Sequence, residues 1–364
     1  MLIRESLSFV MVALIGCGGN LAASEPSLEH APLSADLVAV PQNLLALSHT
    51  REVQQDLKLD SKELAQWEAA LHDIDKIWWP ARILPVDQQR KIIAELEAKL
   101  LAGLERIQGK SAVNRLRQIE LQSQSARVLL RPEVVRLLRI DDSQNKKLTE
   151  LFAETDKLAK ETAANDEKKA QQFMTAKQGE PKKALAILQP AQAERLRISL
   201  GEPLDTTKVE RIYPFAPELI ESQYWTTATH VNLASMRGKV VLVHFYAFQC
   251  HNCVANFGHY KRWDETLKSE GVEVIGIQRP ETAAERDPAL VIAAAKKEGF
   301  KFPVLIDLQD KNWNAWGNTM WPTVYVVDKK GYIRFWWQGE LNYQGATIDK
   351  KVEAIIDQLL KEDA

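Results

Sequence analysis

The run Val240-Val241-Leu242-Val243-His244-Phe245-Tyr246 leads almost directly into Cys250-His251-Asn252-Cys253, and this junction constrains the 364-residue chain more than any other stretch. An apolar run of this length reads as a strand. The C-x-x-C that follows opens a helix. Residues i and i+3 share one helical face, so the two sulfurs can meet and close a disulfide with little backbone movement. The first thiol also lies where unpaired backbone N–H groups and the helix dipole stabilise a thiolate. Cys250 is therefore the candidate nucleophile and Cys253 its redox partner.

Cysteine arithmetic supports a chemical role. The chain has three cysteines, and a loop as short as that between Cys250 and Cys253 constrains little of the unfolded chain, so the pair has small value as a staple. The third, Cys17, follows Leu14-Ile15-Gly16 at the end of an apolar run that begins at Leu7, just after Arg4. The run is too short to span a bilayer as a mature helix. It resembles a bacterial lipobox, which implies a signal peptide over 1–16, lipidation of Cys17 and an anchor in a membrane on its extracytoplasmic, periplasmic side. The alternative is an ordinary secretory signal cleaved near Ala22-Ala23. Export follows from both readings.

Four regions are expected: the signal over 1–16, a flexible tether over 17–44 with scattered Pro26, Pro32 and Pro41, an all-α domain over 45–200, and an α/β domain over 201–364. The all-α region is rich in helix formers and carries apolar residues at helical spacing, as in Ile92, Leu96, Leu100 and Leu104. It also repeats. Glu52 to Asp60 matches Glu133 to Asp141 at an offset of 81 residues, and Leu71 falls on Phe152. Farther on, Ile107-Gln108 pairs with Leu188-Gln189, and Arg115-Leu116-Arg117 pairs with Arg195-Leu196-Arg197 after a one-residue slip. Two helical repeats of about eighty residues follow. Ile140-Asp141-Asp142-Ser143-Gln144 and Leu188-Gln189-Pro190-Ala191-Gln192 resemble the L-T-x-x-Q segments of small envelope-stress chaperones, but acidic or polar residues replace the threonine. A capping box followed by an amphipathic helix produces the same pattern, so the bundle is read as structural or protein-contacting.

Glu202-Pro203 breaks the helical pattern, and short apolar runs separated by helices take over. Strands are expected at Val240 to Phe248, Val272 to Ile277, Phe302 to Ile306, Thr323 to Val327 and Tyr332 to Trp336, the last two joined by Asp328-Lys329-Lys330-Gly331. Helices are expected from the C-x-x-C to about Ser269, over 288–298 and over 348–361. This order gives an α/β sheet covered on both faces.

The residues from about 215 to 362 resemble a thioredoxin-fold redoxin of the extracytoplasmic TlpA-like class, and within it the thioredoxin-like domains of DipZ-type and NHL-repeat proteins. The resemblance rests on Gly238-Lys239, Cys250-His251-Asn252-Cys253, Ile275-Gly276-Ile277 with Arg279-Pro280-Glu281, Trp313-Asn314-Ala315-Trp316-Gly317-Asn318 before Trp321-Pro322-Thr323, and Gly339-Glu340. It implies a cis-proline at Pro322, beside which Trp321 pairs with an extended substrate. It also places His244 where cytoplasmic thioredoxins keep a buried aspartate, so His244 is a candidate to move protons for Cys253, against the reading of a hydrogen-bonded core histidine. His251 inside the loop either favours the Cys250 thiolate or is a solvent-facing spacer.

The resulting expectation is a membrane-tethered thiol-disulfide oxidoreductase that needs no cofactor beyond its redox-active disulfide. Its partners would be a protein thiol or disulfide substrate and an upstream redox protein. Two alternatives are a redoxin-class thiol peroxidase, against which Ala247-Phe248-Gln249 replaces the proline and threonine of those enzymes, and an envelope scaffold acting through the helical repeats. A zinc site lacks further cysteines, with His244 and His259 the nearby remaining candidates, and Val254 stands where covalent haem attachment needs histidine. A net charge of −2 gives no electrostatic case for nucleic acid.

Overall fold

The computed structural model describes residues 44–161, 167–205, 209, 213–228 and 230–363. The signal peptide, Cys17 and nearly all of the expected tether lie outside the described residues. Among the described residues no helix is long and apolar enough to cross a membrane. The chain divides into two compact units.

The first unit draws on residues up to 68 and on 97–212. Its described helices come from α1 (Leu44–Leu47), α2 (Arg51–Asp56), α3 (Ser61–Ala81), α4 (Val86–Gln108), α5 (Lys110–Ser123), α6 (Pro132–Leu138), α7 (Asp142–Glu161), α8 (Glu167–Leu185) and α9 (Pro190–Leu200). Positions 81 residues apart share backbone and side-chain features. Lys58 after α2 and Arg139 after α6, 81 positions apart, both take left-handed conformations, with φ of 55° and 53°. Asp60 accepts from the N–H groups of Lys62 and Glu63 while the Glu63 carboxylate accepts from the Asp60 N–H, and Asp141 and Gln144 form the same reciprocal box at the start of α7.

In the first repeat the Gln108 amide donates to the carbonyls of Leu57 and Lys58 and to Glu63. In the second, Gln192 donates to the carbonyls of Leu138 and Arg139 and to Gln144. Gln192 rather than Gln189 is therefore the counterpart of Gln108. The sequence pairing slips here because the amide is delivered from the last residue of α4 in one repeat and from inside α9 in the other. The L-T-x-x-Q-like segments thus carry caps and interhelical amide bonds around a core that includes Leu138, Leu148, Phe152, Leu188 and Leu196.

The second unit groups residues 69–96 with 213–364, so its boundary falls inside α3 and α4 rather than near residue 200. Its sheet runs in the order β3-β2-β1-β4-β5, with β1 (Val240–Tyr246), β2 (Val272–Gln278) and β3 (Val304–Ile306) parallel and β4 (Thr323–Val327) and β5 (Ile333–Gln338) antiparallel. Every residue of β1 is buried, as a strand covered on both faces must be. On one face Val240, Leu242 and Tyr246 pack with Cys253, Phe257, Tyr260 and Trp263 of α10 (His251–Leu267) and with Val352 and Ile356 of α13 (Ile348–Lys361). Between these helices in sequence lie α11 (Pro288–Glu298) and the short α12 (Lys311–Ala315).

On the other face Val241, Val243 and Phe245 pack against Leu219, Trp225, Met236, Trp313, Trp316 and Trp79. Part of this face is thus covered by a residue from α3. Trp79 donates its indole N–H to the Trp316 carbonyl at 3.0 Å, and Arg82 donates to the carbonyls of Trp316 and Gly317 and to the Tyr325 hydroxyl. Gly317 has φ of +59°, and a Cβ there would come within 3.1 Å of the Pro80 Cα and 2.5 Å of the Arg82 guanidinium, so only glycine lets this segment approach. Asp75 accepts the Phe215 N–H at 2.7 Å. The sequence division missed this because Trp79 and Arg82 sit in a helical pattern and their partners lie more than two hundred residues away.

Truncating Trp79 to alanine removes a buried indole from the sheet's second face. It is expected to destabilise this unit by about 3–5 kcal/mol, seen as a lower urea midpoint of the near-UV circular dichroism transition with an unchanged cysteine titre.

Candidate active site

Cys250 is the N-cap residue of α10, and its carbonyl accepts from the N–H groups of Cys253 and Val254. It is half-buried, whereas Cys253 is fully buried among Tyr246, Phe257 and Tyr260. Both are free thiols. Burial pushes the Cys253 thiol far up, and its hydrogen bond with Cys250 adds to that. The sulfurs are therefore inequivalent: Cys250 faces outward at a helix start, and Cys253 behind it holds its proton.

His251 is exposed on the first turn. His244 lies in the middle of β1 and is 1% exposed. Its ring stacks on Tyr260 at 4.0 Å and on Tyr246 at 5.2 Å, with Phe302 edge-on at 5.4 Å. Its strand partner is Gly276, where a Cβ would come within 3.2 Å of the His244 Nε2 and 2.9 Å of a Val304 methyl. Neither ring nitrogen has a hydrogen-bond partner, and burial lowers its pKa to about 3. His244 is a neutral imidazole in an aromatic cage at physiological pH, not a stored positive charge.

The Trp321–Pro322 peptide bond is cis, and Pro322 is buried immediately before β4. The Trp321 side chain packs against the same core cluster as Cys250. Its ring is held by Trp313 at 4.7 Å and by the Arg279 guanidinium at 4.8 Å. Arg279 also covers Trp313 at 5.0 Å and is fixed by an ion pair with Asp310 at 2.7 Å. The sequence motif Arg279-Pro280-Glu281 contained this arginine, but its role emerges only from the fold.

A second group was missed by sequence reasoning. The Glu285 carboxylate, 0% exposed, accepts from the backbone N–H groups of Gln249, Glu281 and Thr282. Its only trace in the sequence is a spacing of four residues from Glu281. Among the described residues no group of three or more His, Cys, Asp or Glu side chains comes together as a metal site requires.

The sheet order, with two cysteines at the start of α10, one outward and one inward, is that of a thioredoxin-like α/β domain. Residues 216–336, about a third of the chain, match the family model described as AhpC/TSA family. Protein DipZ of Mycobacterium bovis is 34% identical over 132 residues, which is 36% of this chain and 18% of that protein. Thiol-disulfide oxidoreductase ResA of Geobacillus kaustophilus is 28% identical over 104 residues, 28% of this chain and 56% of the relative. The chain thus spans less than a fifth of DipZ and about half of ResA. Among solved structures, a thioredoxin-like superfamily protein aligns with 26% identity and a TM-score of 0.37, covering 41% of this chain and 98% of that one. A thiol-disulfide isomerase from Corynebacterium glutamicum aligns with 24% identity and a TM-score of 0.37 over the same shares.

The His244 environment gives a pH prediction. Its pKa is lowered in the folded state and near 6.5 when unfolded, so below about pH 6.5 the unfolded chain binds a proton that the folded chain does not. Stability should therefore fall as pH drops from about 6.5 towards 3, by up to about 1.4 kcal/mol per pH unit. His244→Phe should remove this component, so that the variant gains on the wild type in thermal melts at pH 4.5 relative to pH 7.5.

Proposed function

We propose that the protein is a membrane-tethered, extracytoplasmic thiol-disulfide oxidoreductase that exchanges electrons with protein disulfides through Cys250 and Cys253. The observation that carries this reading is the half-exposed Cys250 at the start of α10 with the buried Cys253 one turn behind it. The names of the relatives support it.

In the reducing direction the Cys250 thiolate attacks one sulfur of a substrate disulfide. That bond breaks, and the electron pair leaves on the other substrate sulfur, which takes a proton. Cys253 then gives up its proton and attacks the Cys250 Sγ. The mixed disulfide breaks, the second substrate thiol departs, and the protein keeps a Cys250–Cys253 disulfide, having passed two electrons to the substrate. Burial of Cys253 keeps it protonated until the mixed disulfide forms. An upstream redox protein resets the pair, and the reverse sequence donates a disulfide. Trp321, immobilised by Arg279 and Trp313, and Pro322 contact the substrate chain. Neutral His244 lies on the Cys253 side of the sheet, and we assign it to setting the polarity behind Cys253 rather than to holding charge. The anchor we assign to Cys17, with no cofactor beyond the disulfide.

The family model's AhpC/TSA description favours a second reading, a thiol peroxidase attacking through Cys250. Trapping separates the two. In the oxidoreductase, Cys253→Ala should accumulate a mixed disulfide with a disulfide-bonded protein substrate on non-reducing gels, and Cys250→Ala should form none and reduce insulin at the background rate. Rapid peroxide consumption with a Cys250 sulfenic acid and no mixed disulfide would replace this reading with the peroxidase.

A further inference from the structure

We infer that Glu285 is a positioning residue of the dithiol site, fixing the chain at Gln249 and thereby aiming Cys250 and setting how readily its thiolate forms. The inference rests on the oxidoreductase reading and extends it to a residue outside the C-x-x-C.

The segment between β1 and α10 is short, and Gln249 is its last residue before the nucleophile. The Gln249 N–H donates to one oxygen of Glu285 at 2.8 Å. The other oxygen accepts from Glu281 and Thr282 at 2.6 and 2.9 Å. A second tie joins the same two segments, the Thr282 hydroxyl donating to the Gln249 side-chain oxygen at 2.7 Å. At the base of the pair, the Arg279 N–H donates to the Tyr246 carbonyl at 3.0 Å, where β1 ends. One carboxylate thus locks the segment that carries the nucleophile to the turn after β2.

Both carboxylate oxygens are engaged, one by Gln249 and the other by Glu281 and Thr282, so a side-chain amide with its single acceptor oxygen cannot make all three bonds. Cys250 sits at the start of α10, where a thiolate is favoured only while the sulfur is held in that place. Glu285 fixes the residue before it, so loosening Gln249 should make the thiolate harder to form and the disulfide less oxidising.

The test uses the full chain with Glu285→Gln and Glu285→Ala. Glutathione redox titration gives the equilibrium constant of the Cys250–Cys253 couple, and absorbance of the thiolate against pH in a Cys253→Ala background gives Cys250 acidity. For Glu285→Ala, which removes both acceptors, the couple should shift about tenfold towards the disulfide, ~30 mV more reducing, with Cys250 ionising at higher pH and an unchanged circular dichroism spectrum, and Glu285→Gln, which keeps one acceptor oxygen, should fall between it and the wild type. Glu285→Ala should in addition lose about tenfold or more in kcat/KM for insulin reduction, partly restored in Glu285→Gln. A wild-type couple with both variants at the wild-type equilibrium constant and ionisation profile overturns the inference alone. Absence of any reversible couple in the wild type overturns the oxidoreductase reading beneath it. A Glu285→Gln chain that fails to fold assigns Glu285 to the structure of the loop and also overturns the inference.

Discussion

Burial of β1 on both faces is the constraint on which the site depends. The strand is hydrogen-bonded on either side, parallel to β2 and antiparallel to β4, and its seven side chains alternate between two apolar layers. A strand with no exposed face cannot slip by one residue without turning every core side chain over. Its end is therefore fixed in space, and the chain reaches Cys250 four residues after Tyr246. Precision at the sulfur is inherited from the strand, and the Gln249 and Arg279 hydrogen bonds carry it across the short segment between.

The two cysteines acquire different chemistry from this one geometry. Cys250 caps a helix at the edge of the layer, half-exposed. Cys253, three residues later, turns inward onto the aromatic residues that cover the sheet. The same inward direction that buries Cys253 also isolates His244, whose cage of Tyr246, Tyr260 and Phe302 leaves no solvent to stabilise a cation. A titratable group on a central strand is governed by desolvation first, and its chemical use must be compatible with remaining neutral.

The sheet was legible in the sequence because its signals are local. Apolar runs marked the strands, the turn Asp328 to Gly331 marked the hairpin, and the C-x-x-C marked the helix start. The matching caps and left-handed turns 81 residues apart were legible for the same reason, since each is written in a few adjacent residues. Illegible features were those whose partners are distant or backbone atoms. Glu285 binds main-chain N–H groups, which no side-chain pattern announces, and Arg279 finds its rings only when β2 and the segment before β4 come together. Pairing Gln108 with Gln189 failed because two helices deliver the same amide from different turns. The boundary near residue 200 followed a true change in periodicity, but periodicity reports secondary structure, whereas membership of a unit is decided by burial.

That distinction has a consequence for how the redox unit comes into being. Its sheet is encoded after residue 239, while Trp79, Arg82 and Asp75, which complete one of its faces, are encoded far upstream. During synthesis these residues emerge well before the surface they cover, and they must wait for it through the translation of the whole second repeat. Moved alone into another gene, the α/β segment would leave behind the indole that packs on this face.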